Sequence, residues 1–241
     1  MHITKAIYGL LVSAMLFYKK LVTDLIKYGF EVNPYDPCVA NKIVNGNQMP
    51  VSWHLYDLKI SHMDTKVVDE FLQWVTETYG SIGEVKTTHG KIHDYLGMKL
   101  DNTVPGQVSI NMVDYIESMV ANFPDEHLQG KVASPWIESL FKVKNDSPLL
   151  EPKMAEMFHT VTAQGLFACK RARPDISPAI AYLTTRVRSP NQDDWSKLAR
   201  MMKYLKQTAK DCLTLRADGS GTMKWHVDAA FAVHKDFRSH P

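Results

Sequence analysis

An α+β fold is what the sequence predicts, on three observations. Hydrophobic residues make up 45% and charged residues 22% of the 241 positions, ordinary usage for a globular chain long enough to bury a core without staples. Short Val/Ile-rich runs bounded by Asn, Gly and Pro alternate with helical periods up to residue 124. Three consecutive stretches of helical spacing then fill most of the last third.

The first helix is read from Leu10, Ala14, Phe17, Leu21 and Leu25, spaced by threes and fours, and runs to Tyr28 before Gly29 ends it. Lys5 and the apolar stretch from Ala6 to Tyr18 have the look of a secretory leader. The pattern continues past Lys19-Lys20, however, which marks an amphipathic helix instead. Cys38 to Val44 and Met49 to Leu55 read as strands joined by Asn45-Gly46-Asn47-Gln48, since Asn-Gly between apolar runs is a strong hairpin signal. Leu58 to Ser61 is a further short run, so Tyr56-Asp57 falls at or beside a tight turn. Asp64 and Thr65 open a helix through Tyr79, with Val68, Phe71, Leu72 and Val75 inward.

Ile92 to Leu100 and Gln107 to Ile110 form another strand pair around Pro105-Gly106, and a helix from Val113 to Phe123 is closed by Pro124. Residues 125–152 are rich in proline, show little periodicity and read as a long connector. Lys153 to Ala172, Pro174 to Val187 and Gln192 to Lys206 read as helices. The last has Asn191 as N-cap and Trp195, Leu198, Met202 and Leu205 on one stripe. Cys212 to Arg216 and Met223 to Asp228 read as strands flanking Gly219-Ser220-Gly221, the start of a new β unit.

Charge and cysteine usage narrow the function classes. The net charge of +2 hides an asymmetry: residues 1–169 carry −5 and residues 170–241 carry +7, with all seven arginines in the second part. Such a segment either faces phosphate or forms a solvated basic surface. Three widely spaced cysteines without a CxxC pair argue against a disulfide framework or a structural zinc site, and point to a reducing, intracellular (cytoplasmic or nuclear) setting. No apolar run reaches the roughly 18–20 residues of a membrane span.

Most chemical motifs are absent. There is no GxxxxGK[ST] or GxGxxG loop to cradle phosphate and no GxSxG nucleophile turn. His89 and His93 are four apart beside a strand-like region, where that spacing does not converge on a metal. Cys169 falls on a helix face and reads as a small buried hydrophobe. What remains is Trp53-His54-Leu55-Tyr56-Asp57-Leu58, a carboxylate beside a turn between two short strands. Such a group is either held toward a metal or is ordinary turn chemistry.

The order of several short segments resembles the reverse transcriptase region of copia-type LTR retrotransposon Pol polyproteins, over nearly the whole chain. Ala6-Ile7-Tyr8-Gly9-Leu10 with Phe17-Tyr18 is similar to the family's "ALYGL" segment, and Tyr28-Gly29-Phe30 with Asp36-Pro37-Cys38 to its "GF…DPC". His54-Leu55-Tyr56-Asp57-Leu58 stands where the family has "VDDL", and Tyr95-Leu96-Gly97-Met98 is similar to its "LG" strand. Arg173-Pro174-Asp175-Ile176 matches "RPDI". Trp195 with Tyr204-Leu205-Lys206-Gln207-Thr208 matches "W…RYLKGT", and Val227-Asp228-Ala229 resembles the "SDAD" strand that opens ribonuclease H.

The resemblance implies a partial polymerase palm at 1–124, an antiparallel sheet backed by helices. A proline-rich connector at 125–152, a helical thumb or connection at 153–210 and a truncated ribonuclease H start at 211–241 would follow. It implies RNA-templated DNA synthesis with Mg²⁺ as cofactor and RNA template, RNA–DNA hybrid and dNTP as partners. Tyr8, Gly9 and Leu10 would lie at the nucleotide and template pocket, and Leu96 and Gly97 in a primer-grip strand. Asp57 would be a metal ligand, Tyr56 the degenerate position of its partner aspartate, and Asp228 the first acid of an incomplete ribonuclease H site. Lys170, Arg171, Arg173, Arg186, Arg188, Arg200, Lys203 and Lys206 are expected on nucleic acid.

Two-metal phosphoryl transfer needs several carboxylate oxygens. The strand bearing a further family aspartate is expected upstream of Met1, with the rest of the polyprotein outside this sequence. A tyrosine at position 56 removes a charge, and its larger ring is expected to intrude on the metal or primer position. The chain is therefore expected either to be a catalytically defective reverse transcriptase fragment or a non-catalytic nucleic-acid-binding remnant. An accidental match by an unrelated α+β protein is the third reading.

Overall fold

The computed structural model describes residues 10–81 and 83–222. Tyr8, Gly9, Asp228 and the strand expected from Met223 to Asp228 lie outside the described residues. Helix α1 spans Leu11–Lys27. Leu21 and Leu25 are fully buried, with Phe17 and Tyr18 packed beside them. Leu10, expected on that stripe, precedes the first helical turn in extended conformation and is 53% exposed. Gly29 adopts φ +96°, and the Gly29 and Phe30 amides donate to the Ile26 and Leu25 carbonyls. This Schellman closure folds the chain back so that Phe30 enters the core.

The first sheet is antiparallel in the order β1 (Glu31–Val32), β2 (Val39–Val44), β3 (Asn47–His54), β4 (Asp57–Ile60). Asn45 and Gly46 both take positive φ, the signature of a two-residue type I′ turn, so β3 starts two residues earlier than the four-residue connection implied. Period-two alternation sends Met49, Val51 and Trp53 inward, where α1 and helix α2 (Thr65–Tyr79) cover them. Asp64 caps α2 by accepting a bond from the Lys66 amide at 2.9 Å. The buried stripe is Val67, Phe71 and Val75, so Val68 and Leu72 flank it rather than fill it.

The second sheet runs β5 (Ile92–Tyr95), β6 (Met98–Asp101), β7 (Gln107–Asn111), β8 (Leu213–Arg216), again antiparallel. One expectation is corrected here. Ile92 to Leu100 is not one strand: Leu96 and Gly97, with φ +52° and +76°, make a tight hairpin turn in its middle. The strand expected from Cys212 to Arg216 is Leu213–Arg216 and joins this sheet, pairing along β7 from Gln107↔Arg216 to Ile110↔Leu213. A partner more than a hundred residues away leaves no local signal.

A second core gathers α3 (Val113–Ala121), α4 (Pro152–Cys169), α5 (Ser177–Arg186) and α6 (Gln192–Gln207). The helices α4, α5 and α6 approach closely at Gly165, where a Cβ would lie 2.5 Å from Ile180 Cδ1 and 3.3 Å from Met201 Cε. Asn191 and Asp194 form a reciprocal capping box that starts α6. The stretch 125–152 is docked rather than free. Leu128 and Leu140 are buried, the Asn191 side-chain amide donates to the Lys144 carbonyl, and the Gln192 amide donates to that of Pro148. Among the described residues, no helix is long and apolar enough to cross a membrane.

Candidate functional site

The β3–β4 hairpin closes in two residues, Leu55 and Tyr56, because His54 pairs directly with Asp57. Leu55 takes φ +53°, a left-handed conformation unusual for a branched side chain and one that costs of order 1 kcal/mol or more. The turn thereby presents His54 and Asp57, both exposed, on the sheet face opposite the buried Trp53. The Asp57 carboxylate makes no ion pair among the described residues.

The Tyr56 ring does not project as expected. It packs on Phe17 of α1 at 5.0 Å between centroids, and Phe17 in turn meets Tyr79 at 5.9 Å. Tyr79 donates a 2.8 Å bond to Asp24, which also pairs with Lys20 at 2.8 Å. Burial and this bond to a carboxylate hold the Tyr79 phenol well above its ordinary range. Burial would raise Asp24 too, but the bonds from Lys20 and Tyr79 and the nearby lysines outweigh it and hold the carboxyl below its ordinary value. The position where the family resemblance implies a carboxylate is thus occupied by a link in an aromatic chain that ties the turn to α1 and α2.

The β5–β6 hairpin approaches the same face. Burial raises the Tyr95 phenol, a hydrogen bond with the Ser52 side chain works against that, and the Asp57 carboxylate and the Cys38 thiol raise it again. Tyr95 therefore sits beside Ser52 and within electrostatic reach of Asp57. The turn of this hairpin also faces α4. A Cβ on Gly97 would lie 3.5 Å from the Phe167 ring, an ordinary contact, so positive φ rather than a close backbone approach is what demands glycine. Leu96 and Gly97 are turn residues, not the strand expected of them.

A cation at this face would find Asp57, the opposed His54 and the Ser52 hydroxyl. Among the described residues no three His, Cys, Asp or Glu side chains converge to hold a metal ion. Magnesium prefers an octahedral shell of oxygen ligands, so this set does not fit a two-ion centre.

The basic residues of the last third do not form one patch. Arg173 is 2% exposed and forks onto Asp175, with Nη2 at 2.7 Å from Oδ2. Arg186 pairs at 3.0 Å with Asp194, which is 1% exposed and also accepts from the Tyr182 hydroxyl. Both arginines, expected on nucleic acid, are engaged within the fold: Arg173 by its near neighbour Asp175 and by Thr208 at the end of α6, and Arg186 by Asp194 in the first turn of α6. Arg171 lies over the Phe167 ring at 3.5 Å, and Lys206 reaches Asp125 at 3.6 Å across the surface. Lys170, Arg188 and Lys206 are exposed, while Arg171, Arg200 and Lys203 are partly so.

Ser52 was not singled out from the sequence, though counting back two from His54 along the strand, which keeps the same face, would have found it. Tyr95 entered only within the Tyr95-Leu96-Gly97-Met98 resemblance, since its approach to Ser52 is a tertiary event.

No protein-family model matches the chain, and no solved structure matches it. Known proteins do. The putative transposon Ty5-1 protein of Saccharomyces cerevisiae is 24% identical over 238 residues, covering 94% of this chain and 71% of that protein. A retrovirus-related Pol polyprotein from a Nicotiana tabacum transposon, TNT 1-94, is 21% identical, covering 98% of this chain and 18% of the polyprotein. The corresponding polyprotein from transposon RE2 of Arabidopsis thaliana is 26% identical, covering 98% of this chain and 16% of its own length. The chain spans less than a fifth of the two plant polyproteins.

Proposed function

Because the chain is related along nearly its whole length to copia-type retrotransposon Pol polyproteins, we propose that it is their reverse transcriptase palm and thumb with a metal turn that has lost function. The face formed by Asp57, Ser52 and Tyr95 is the degenerate polymerase site. The chain binds template–primer duplex without extending it.

One observation carries this reading. The turn that presents Asp57 retains a strained residue, Leu55, and an approaching hairpin, yet its second position is taken by Tyr56 packed on Phe17. A two-residue hairpin demands positive φ here, and a leucine held in that conformation is strain of the kind that clusters at functional turns. With one carboxylate on the face, the residues supply no second anchor for paired ions, so no phosphoryl-transfer step follows from them.

Duplex binding rests on the accessible cations Lys170, Arg171, Arg188, Lys203 and Lys206, which act on phosphate without reading sequence. A salt titration of binding to an RNA–DNA hybrid tests it. The expected result is affinity that falls steeply with salt and varies little with sequence. Binding that is unmeasurable at low salt, or insensitive to salt, contradicts the reading.

A further inference from the structure

Away from the turn, a cavity of about 280 Å³ opens between segment 135–144 and the solvent side of α6. That is close to the lower bound of small-molecule pockets, roughly 300 Å³. Its walls are of two kinds. Trp136, Ile137 and Leu140 are apolar, while Lys144, Lys197 and Arg200 set three cations against the single carboxylate of Asp193.

The cations are not equivalent. Lys197 Nζ donates to the Lys142 carbonyl at 2.7 Å and to the Tyr182 hydroxyl at 3.0 Å, and pairs with Asp193 at 2.9 Å. Lys144 pairs with the same carboxylate at 2.9 Å. Asp193 is therefore already neutralised, with charge to spare. Arg200 is different: its Nε is buried without a hydrogen-bond partner, and Nη2 has only a 3.5 Å contact to Ser134 Oγ. The enclosed Nε is out of reach of the cavity, so a ligand meets the Nη end of the guanidinium, whose weakly engaged charged N–H groups suit a doubly charged oxyanion. The Ser139 and Ser196 side chains also line the space.

We propose that this cavity binds a phosphate carried on a planar ring, the phosphate on Arg200 with help from Ser196, and the ring against Trp136. The shared chemistry is that of a nucleotide, whether free or part of a single strand. The site lies on other residues than the Asp57 face and stands or falls apart from the polymerase reading.

The test is titration calorimetry of the full chain with adenosine monophosphate, inorganic phosphate and a short single-stranded oligodeoxynucleotide. One-site binding of adenosine monophosphate with Kd on the order of 1 mM or tighter is expected, with phosphate alone binding more weakly. Arg200→Gln should weaken it about tenfold or more through loss of the charged fork. Ser196→Glu, on the exposed side of α6, should do the same by repulsion and carries the test if Arg200→Gln fails to fold. Displacement of the mononucleotide by the oligonucleotide marks a strand as the source, and failure to displace marks a free nucleotide; both uphold the site. No binding, equal affinity for phosphate alone, or affinity unchanged in a folded variant overturns the proposal.

Discussion

Arg173 grips Thr208 twice, donating from Nη1 to its backbone carbonyl at 2.9 Å and from Nη2 to its hydroxyl at 2.6 Å, while the rest of the guanidinium forks onto Asp175. Tyr204 completes the group, with its side chain hydrogen-bonded to Asp175. Two segments that separately resemble the family, Arg173-Pro174-Asp175-Ile176 and Tyr204-Leu205-Lys206-Gln207-Thr208, thus meet in one part-buried cluster around the buried Arg173. It closes the C-terminal end of α6 against the loop after α4. What the pairing explains is structural: the arginine holds helices together.

Arg173→Ala should therefore destabilise the chain by about 2–3 kcal/mol, because it removes charged hydrogen bonds to Asp175 and to the Thr208 carbonyl and hydroxyl, while the partly exposed Asp175 keeps some solvation. Thr208→Val, which removes the bond from Arg173 and the one the hydroxyl donates to the Tyr204 carbonyl but keeps the backbone carbonyl contact, should cost about 1–2 kcal/mol. Urea denaturation midpoints measure both, and equal effects would show that the arginine matters only through Thr208 Oγ1.

Acid should weaken the same cluster. Burial tends to raise Asp175, but the bonds from Arg173 and Tyr204 and the guanidinium charge hold its pKa below the ordinary 3.8. The unfolded chain then takes up the proton first, so the stability Asp175 contributes is present above that value and is lost as pH falls through the lower folded one. Asp175→Asn should flatten the stability curve in that acidic window, read as the denaturation midpoint against pH.

Two glycines should fail for different reasons when changed to alanine. Gly97→Ala forces a side chain into a left-handed turn position and should cost about 1 kcal/mol, without crowding Phe167. Gly165→Ala meets Ile180 inside the helical core and should cost about 1–3 kcal/mol through overpacking. Adding Ile180→Val should rescue the second variant and not the first, as thermal melts of the double variants would reveal.

Tyr56→Asp should uncover Phe17 and remove an aromatic pair worth about 0.5–1.5 kcal/mol beyond its buried area. It should also set a second carboxylate beside Asp57 and tighten Mn²⁺ binding relative to the unaltered chain. A melting curve and a Mn²⁺ titration followed by electron paramagnetic resonance check the two effects separately.

Local chemistry was legible in the sequence, and tertiary placement was not. Asn45-Gly46, the Asp64 and Asn191 caps and the stop at Gly29 are each written in one or two residues whose backbone preference decides the outcome. Leu96-Gly97 was missed because Leu gives no hint of positive φ, and the hairpin is recognised only once Tyr95 and Met98 pair. The basic residues misled for a related reason: a count of arginines cannot tell Arg188, in solvent, from Arg173 and Arg186, whose contacts with Thr208 and Asp194 form only through the fold. At the candidate site, Asp57 beside a turn was readable from the short flanking strands. The destination of the Tyr56 ring depended on where α1 packs.

The central claim, that the Tyr56-Asp57 turn belongs to a polymerase face no longer able to transfer nucleotides, is tested most directly by primer extension on an RNA template with Mg²⁺ or Mn²⁺ and all four dNTPs. The account predicts no dNTP-dependent extension by the chain as it stands, under conditions where it binds the hybrid. Clear template-directed extension that disappears in Asp57→Asn would contradict it.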